Sequence, residues 1–197
     1  QLESVFSDIK PQAVKTGMLA TTEIMEIIQP YLKKLDCPYV LDPVMVATSG
    51  DTLIDTSARI FLKTNLLPLA TIITPNLPEA ELLAGQKIET LDDMKDAAQK
   101  LHDLGAPAVI IKGGNRLSQD KAVDVSYDGE NYTILENPVI QGQNAGAGCT
   151  FASSIASQLV KGEELLPAVE SSKAFVYRAI AQADQYGVRQ YEANQNK

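Results

Sequence analysis

Tyr39-Val40-Leu41-Asp42-Pro43-Val44-Met45-Val46 is a nearly unbroken apolar run with one carboxylate set inside it. A helix with one face on a core repeats its apolar residues every three or four positions, and a strand with one wet face alternates every second. A short continuous run instead fits a strand covered on both faces, as in a parallel sheet. Residues 70–74 (ATIIT) and 108–112 (AVIIK) have the same character, and residues 12–15 form a shorter run broken by Thr16-Gly17-Met18. Helical patterns fill the intervals. One starts at Thr21-Thr22-Glu23 and runs through Ile24, Ile27, Ile28, Tyr31 and Leu32, limited by Pro30. Others span residues 57–66, 79–84 before Gly85, and 91–104 before Gly105. Strands alternating with helices predict an α/β fold, a mostly parallel sheet with helices on both faces. Residues 122–127 alternate, and Asp128-Gly129 is a hairpin turn before residues 132–135, which adds an antiparallel edge. Residues 165–186 read as the last helix, and residues 2–9 as a helix already under way where the chain opens.

The bulk properties narrow the function. At 197 residues and 45% hydrophobic content the chain fills one substantial core, so one domain is expected, with no internal repeat or linker. A net charge of −8 argues against nucleic acid or an anionic membrane surface as partner. No run is long enough to span a membrane. Cys37 and Cys149 are far apart and lack metal-ligand spacing, which suits a reducing cytoplasm better than a disulfide framework.

In such sheets ligands bind beyond the carboxyl ends of the strands. The polar residues that interrupt or follow the runs are therefore the candidates: Asp42, Asn76, Glu79 and Lys112. A carboxylate in an apolar strand requires a metal, a cation or a hydrogen-bond donor, and Asp42 satisfied by the Thr48-Ser49 loop is one such arrangement. Glu79 opens a helix, where the dipole favours it without any ligand. With Asp42 it also supplies the oxygen donors, often through water, that Mg²⁺ with a nucleotide uses. Lys112 ends its strand before two glycines, placed to meet a phosphate or simply to be solvated. His102, the only histidine, lies on an amphipathic helix away from the strand ends, so histidine-based triads and metal sites lack support.

The remaining stretch is Gln143-Asn144-Ala145-Gly146-Ala147-Gly148-Cys149-Thr150-Phe151-Ala152. It sets a glycine-rich turn and a cysteine directly before an apolar-periodic helical run, Phe151, Ile155, Leu159, which Lys161-Gly162 closes. Unpaired N–H groups and the helix dipole would hold an anion there and favour the thiolate. A buried structural thiol beside a packing turn explains the same window. Together with two carboxylates and a lysine, the turn suits phosphoryl transfer, though no Walker loop or protein-kinase signature is present.

Five ordered motifs carry a resemblance. Lys15-Thr16-Gly17-Met18-Leu19, the residues from Asp42-Pro43-Val44-Met45 to Gly50-Asp51, Thr74-Pro75-Asn76-Leu77-Pro78-Glu79-Ala80, Ile111-Lys112-Gly113-Gly114 and Gly146-Ala147-Gly148-Cys149-Thr150 resemble the hydroxymethylpyrimidine/phosphomethylpyrimidine kinases of thiamine biosynthesis. The resemblance implies a ribokinase-like α/β/α sandwich and an ATP- and Mg²⁺-dependent kinase. Its substrates would be 4-amino-5-hydroxymethyl-2-methylpyrimidine and then the monophosphate. It implies an anion hole at Gly146, Ala147, Gly148 and Cys149, with Cys149 as base where most ribokinase-like enzymes carry aspartate. Asp42 and Glu79 would serve Mg²⁺; Lys112, Asn76, Thr150 and Lys173 the nucleotide; Met18 and Val44 the substrate. A homodimer is the family's usual assembly. Ala145 stands where many relatives have histidine, and the family's N-terminal strands and glycine-rich substrate loop have no counterpart here. A chain limited to residues 1–197 is therefore expected to be a truncated, inactive kinase domain. Pyridoxal is the alternative substrate, since pyridoxal kinases of the same family share the Gly-Ala-Gly-Cys-Thr pattern. A non-catalytic pyrimidine or vitamin carrier is the alternative from another class.

Overall fold

The computed structural model describes residues 1–47, 50–142 and 144–191; Thr48, Ser49 and Gln143, each part of a stretch singled out above, lie outside the described residues. One sheet carries six strands in sequence order: β1 (Val14–Thr16), β2 (Tyr39–Leu41), β3 (Ile72–Ile73), β4 (Val109–Lys112), β5 (Lys121–Tyr127) and β6 (Tyr132–Pro138). The first four run parallel, with Thr16 beside Leu41, Leu41 beside Ile73, and Ile73 beside Val109. β5 and β6 add antiparallel, with Lys112 beside Asp124 and Tyr127 beside Tyr132.

α1 (Leu2–Asp8) precedes the sheet. α2 (Thr22–Leu32) links β1 to β2, α3 (Thr56–Phe61) links β2 to β3, and α4 (Leu77–Ala84) with α5 (Leu91–Asp103) links β3 to β4. Crossovers of one hand that advance the sheet in one direction stack their helices on one face. The other face is covered by α6 (Ala147–Val160) and α7 (Leu165–Ala181), which follow the hairpin. Strand alternation sorts the apolar residues accordingly. Tyr39, Leu41, Ile73, Val109 and Ile111 pack with α2–α5, whereas Val40, Ile72 and Ile110 pack with Phe151, Ile155 and Val169 of α6 and α7.

Several boundaries differ from expectation. β2 ends at Leu41, so Asp42 follows the strand instead of interrupting it. Asp42 N–H still donates to Thr16 O at 3.0 Å, but Pro43 has no N–H to continue the ladder. β1 begins at Val14, whose N–H reaches Pro38 O at 2.9 Å, and β3 keeps only two residues. α3 passes into a π-helical turn (Leu62–Leu66) and a 3-10 turn (Leu67–Leu69). α4 starts at Leu77 because Asn76 and Glu79 form a capping box. α6 starts at Ala147, before the apolar periodicity, because Gly146 at φ 82° turns the chain into it. Cys149 is therefore inside the first helical turn, not before it. α7 stops at Ala181, and the chain makes a separate turn closed by the Asp184–Gly187 bridge.

Candidate active site

Alternation along the strands gathers the polar residues. On the face covered by α6, the positions continuing Ala13, Val40, Ile72 and Ile110 by two are Lys15, Asp42, Thr74 and Lys112. All four lie at or next to the carboxyl ends of parallel strands. Asp42 is 1% exposed and is the hub. Its Oδ1 accepts from the Thr74 hydroxyl at 2.9 Å and from Lys112 Nζ at 2.9 Å. Its Oδ2 faces Lys15 Nζ at 3.5 Å. Both lysine side chains are 18% exposed, so these pairs are largely withdrawn from water. Of the three kinds of partner a carboxylate here required, cations and a donor are present.

Lys112 links this hub to the glycine turn. Its Nζ lies 3.5 Å from the point a β-carbon would occupy at Gly148. At the start of α6 the Ala147 N–H donates to Asn144 O at 3.0 Å and the Thr150 N–H to Gly146 O at 2.9 Å. Gly146 supplies no side-chain cap. That leaves the N–H groups of Gly148 and Cys149 without an acceptor among the described residues, beside the Lys112 ammonium. Two unspent donors, a helix dipole and a cation make a site for an anion. Cys149 is free and exposed on the same turn.

Asn76 and Glu79 stand at the edge of this hub. Asn76 bridges to Lys112 through the backbone, and the Lys112 N–H donates to Pro75 O at 2.8 Å. Glu79 is 2% exposed. Its Oε2 accepts the Asn76 N–H at 2.8 Å and its Oε1 the Met45 N–H at 3.4 Å. Glu79 thus ties the loop after β2, and with it half-buried Val44, to α4. Burial pushes its carboxyl up from 4.5, the Asn76 N–H and the Lys112 charge pull it back, and the Asp42 charge adds to the rise. Met18 is exposed in the loop after β1.

Two candidates are engaged elsewhere. The Thr150 hydroxyl accepts from Gln190 Nε2 at 2.9 Å. Lys173 Nζ pairs with Asp124 Oδ2 at 2.6 Å, and Asp124 Oδ1 accepts the Gly113 N–H at 3.0 Å. A cavity of about 850 Å³ opens between α6 and α7, lined by Cys149, Ser153, Ser157, Lys161 and Arg178 among others. It meets the site only at Cys149 and Thr150, and Asp42 and Lys112 do not line it.

Lys15 and Thr74 stand in quoted motifs but receive no role from the sequence, although the alternation rule reaches both, and Asp124 is not singled out at all. The segment after α7 was also missed. Val188 N–H donates to Ala145 O at 3.1 Å, and a β-carbon on Gly187, at φ 125°, would stand 2.6 Å from that same oxygen. This segment clasps the turn that leads into α6. His102 stacks edge-on against Tyr127, with ring centroids 5.4 Å apart, as a residue packing helix to hairpin.

Known proteins give a consistent comparison. Residues 1–194 match the profile of the phosphomethylpyrimidine kinase family. The hydroxymethylpyrimidine/phosphomethylpyrimidine kinase of Synechococcus elongatus is 44% identical over 181 residues, covering 91% of this chain and 69% of that protein. The pyridoxal kinase of Staphylococcus aureus in complex with ADP superposes with a TM-score of 0.91 at 40% identity, over 100% of this chain and 74% of the other. A phosphomethylpyrimidine kinase from Clostridium difficile gives a TM-score of 0.77 at 39% identity, over 91% and 73%.

Proposed function

The chain belongs to the phosphomethylpyrimidine kinase family, a family of phosphotransferases, and from that premise we propose that it moves the terminal phosphoryl group of ATP to hydroxymethylpyrimidine and then to its monophosphate, in thiamine biosynthesis. The observation that carries this reading is the pair of unspent Gly148 and Cys149 N–H groups beside Lys112, which in turn is held by Asp42. Donors aimed at one point stabilise the charge that spreads over a transferring phosphoryl group. Gly146 shapes the turn and Ala147 opens the helix. Cys149, exposed within that turn, takes the proton of the acceptor hydroxyl. Lys112 and Asn76 serve the nucleotide phosphates, Thr150 and Lys173 its outer side, and Met18 and Val44 the acceptor.

Both Glu79 oxygens already accept backbone N–H groups, and Asp42 is occupied by lysines and a hydroxyl. With their oxygens so engaged, Asp42 and Glu79 would hold Mg²⁺ through water. Bound there, Mg²⁺ would neutralise phosphate charge. We read residues 1–197 as a single ribokinase-like kinase domain, matching 69% of the length of the Synechococcus elongatus protein. Its assembly would be a homodimer in a reducing cytoplasm, and no helix among the described residues is long and apolar enough to cross a membrane.

Pyridoxal as acceptor is the second reading, favoured by the higher TM-score of the Staphylococcus aureus pyridoxal kinase. Steady-state turnover of the full-length protein on the pyrimidine and on pyridoxal decides between them, and faster pyridoxal phosphorylation overturns the first. Cys149→Ser is expected to lower kcat by about 10²- to 10⁴-fold, the range for loss of a positioned base. An unchanged kcat removes Cys149 from the mechanism.

A further inference from the structure

Asp42 places two cations, and the site as read above uses one. Lys112 Nζ, on Oδ1, stands beside Gly148 and the anion-binding turn. Lys15 Nζ, on Oδ2, stands 3.0 Å from the point where Gly17 would carry a β-carbon. Lys15 therefore lies against the Gly17-Met18 loop.

Two observations set Lys15 apart from an ordinary structural lysine. Its side chain is only 18% exposed. Among the described residues its ammonium faces one acceptor, Asp42, at a distance longer than a hydrogen bond, although an ammonium has three donors to spend. Ammonium donors largely withdrawn from water and left unspent are costly unless an acceptor, best an anion, completes them.

An anion at the α6 turn is matched by Lys112 and the two N–H groups. A second anion, entering from the Gly17-Met18 side, would meet Lys15. A neutral hydroxymethyl acceptor brings no such anion, but a phosphorylated acceptor does. Without a cation between them, its phosphate would repel the incoming phosphoryl group.

We propose that Lys15 is the acceptor-side phosphate-binding residue, held by Asp42 opposite Lys112, and that it lets this site take a phosphomonoester as well as a neutral alcohol. This rests on the α6 turn being the phosphoryl-transfer centre. The site is specific in a way that a packing role is not, because removing the Lys15 charge discriminates between acceptors that differ only in a phosphate.

The test uses the full-length protein, wild type and Lys15→Met, Lys15→Gln and Lys15→Arg, with hydroxymethylpyrimidine and phosphomethylpyrimidine as probes. Calorimetric titration without nucleotide measures binding, and steady-state kinetics with Mg·ATP measures turnover. Loss of a charge-assisted phosphate contact is expected to weaken binding of the phosphorylated acceptor by about 10- to 100-fold in the uncharged variants. Binding of the neutral alcohol is expected to change by less than about threefold, and Lys15→Arg to retain most of the affinity, since it keeps the charge. Should Lys15→Met fail to fold, Lys15→Gln carries the same comparison. Equal losses for both acceptors, no loss for the phosphorylated one, or no measurable binding of it to wild type overturns the proposal. Wild type that binds the phosphorylated acceptor through Lys15 yet transfers no phosphoryl group upholds the site and overturns the kinase reading instead.

Discussion

Asp42→Asn isolates the charge at the centre of the hub. The substitution keeps the side-chain volume and leaves a carbonyl oxygen for the Thr74 hydroxyl, which donates at 2.9 Å. It removes the negative charge that Lys112 meets at 2.9 Å and Lys15 at 3.5 Å. Taking one partner from a buried ion pair costs about 3–5 kcal/mol, because the other charge stays behind uncompensated. Asp42 at 1% exposure meets that condition, but each lysine side chain retains 18% exposure, and a long stem can swing its head toward water. The expected loss is therefore lower, about 2–4 kcal/mol. For a domain of this size it corresponds to a fall in Tm of about 4–16 °C. Urea unfolding followed by far-UV circular dichroism measures it, with an unchanged m-value showing that the unfolding reaction is the same. A cycle with Lys112→Met sharpens the reading. The double variant leaves fewer unpaired charges than Asp42→Asn alone, so its cost should fall short of the sum by about 1 kcal/mol or more. A loss under about 0.5 kcal/mol, the range of ordinary surface substitutions, or simple additivity would refute the hub.

Two further perturbations test its supports. Gly187→Ala sets a β-carbon 2.6 Å from Ala145 O at φ 125°, so it should shift the turn into α6. A displacement of that kind should lower kcat of the full-length protein by about 10- to 100-fold in single-turnover assays, and an unaltered rate dismisses the clasp. Glu79 has a folded-state pKa raised from 4.5 by burial, so between those two values the native state holds more protons than the unfolded chain. Its contribution is full below 4.5 and declines as pH rises through the raised value. Unfolding free energies across that window should fall more steeply with pH in wild type than in Glu79→Gln, and equal slopes contradict the raised pKa.

The sequence was most informative where a local pattern coincides with a global need. Unbroken apolar runs mark β2, β3 and β4 because both sheet faces are covered, and the glycine turn marks the start of α6 because only glycine takes φ 82° without strain. Boundaries were poorer where local chemistry decides. Pro43 ends β2 before the apolar run does, and the Asn76–Glu79 capping box starts α4 ahead of its predicted first residue. The N-x-x-E spacing was there to read, and it accounts for the Glu79 oxygen that holds the Asn76 N–H, but not for the one that reaches Met45.

What stayed hidden depends on contacts far apart in the chain. Lys15, Asp42, Thr74 and Lys112 are separated by whole crossovers, and nothing near any of them announces the others. Their common face follows only once the register is known, when period-two counting from Ala13, Val40, Ile72 and Ile110 reaches all four. The clasp from Val188 to Ala145 is harder still. It joins a turn after α7 to a turn before α6, and the expected helix over residues 165–186 had absorbed part of the clasping segment. The two failures differ in kind. A residue on a strand can be recovered from parity, whereas a backbone contact between two turns has no period. In this chain the charged hub was therefore derivable in principle from its strands, but the support of the glycine turn was not.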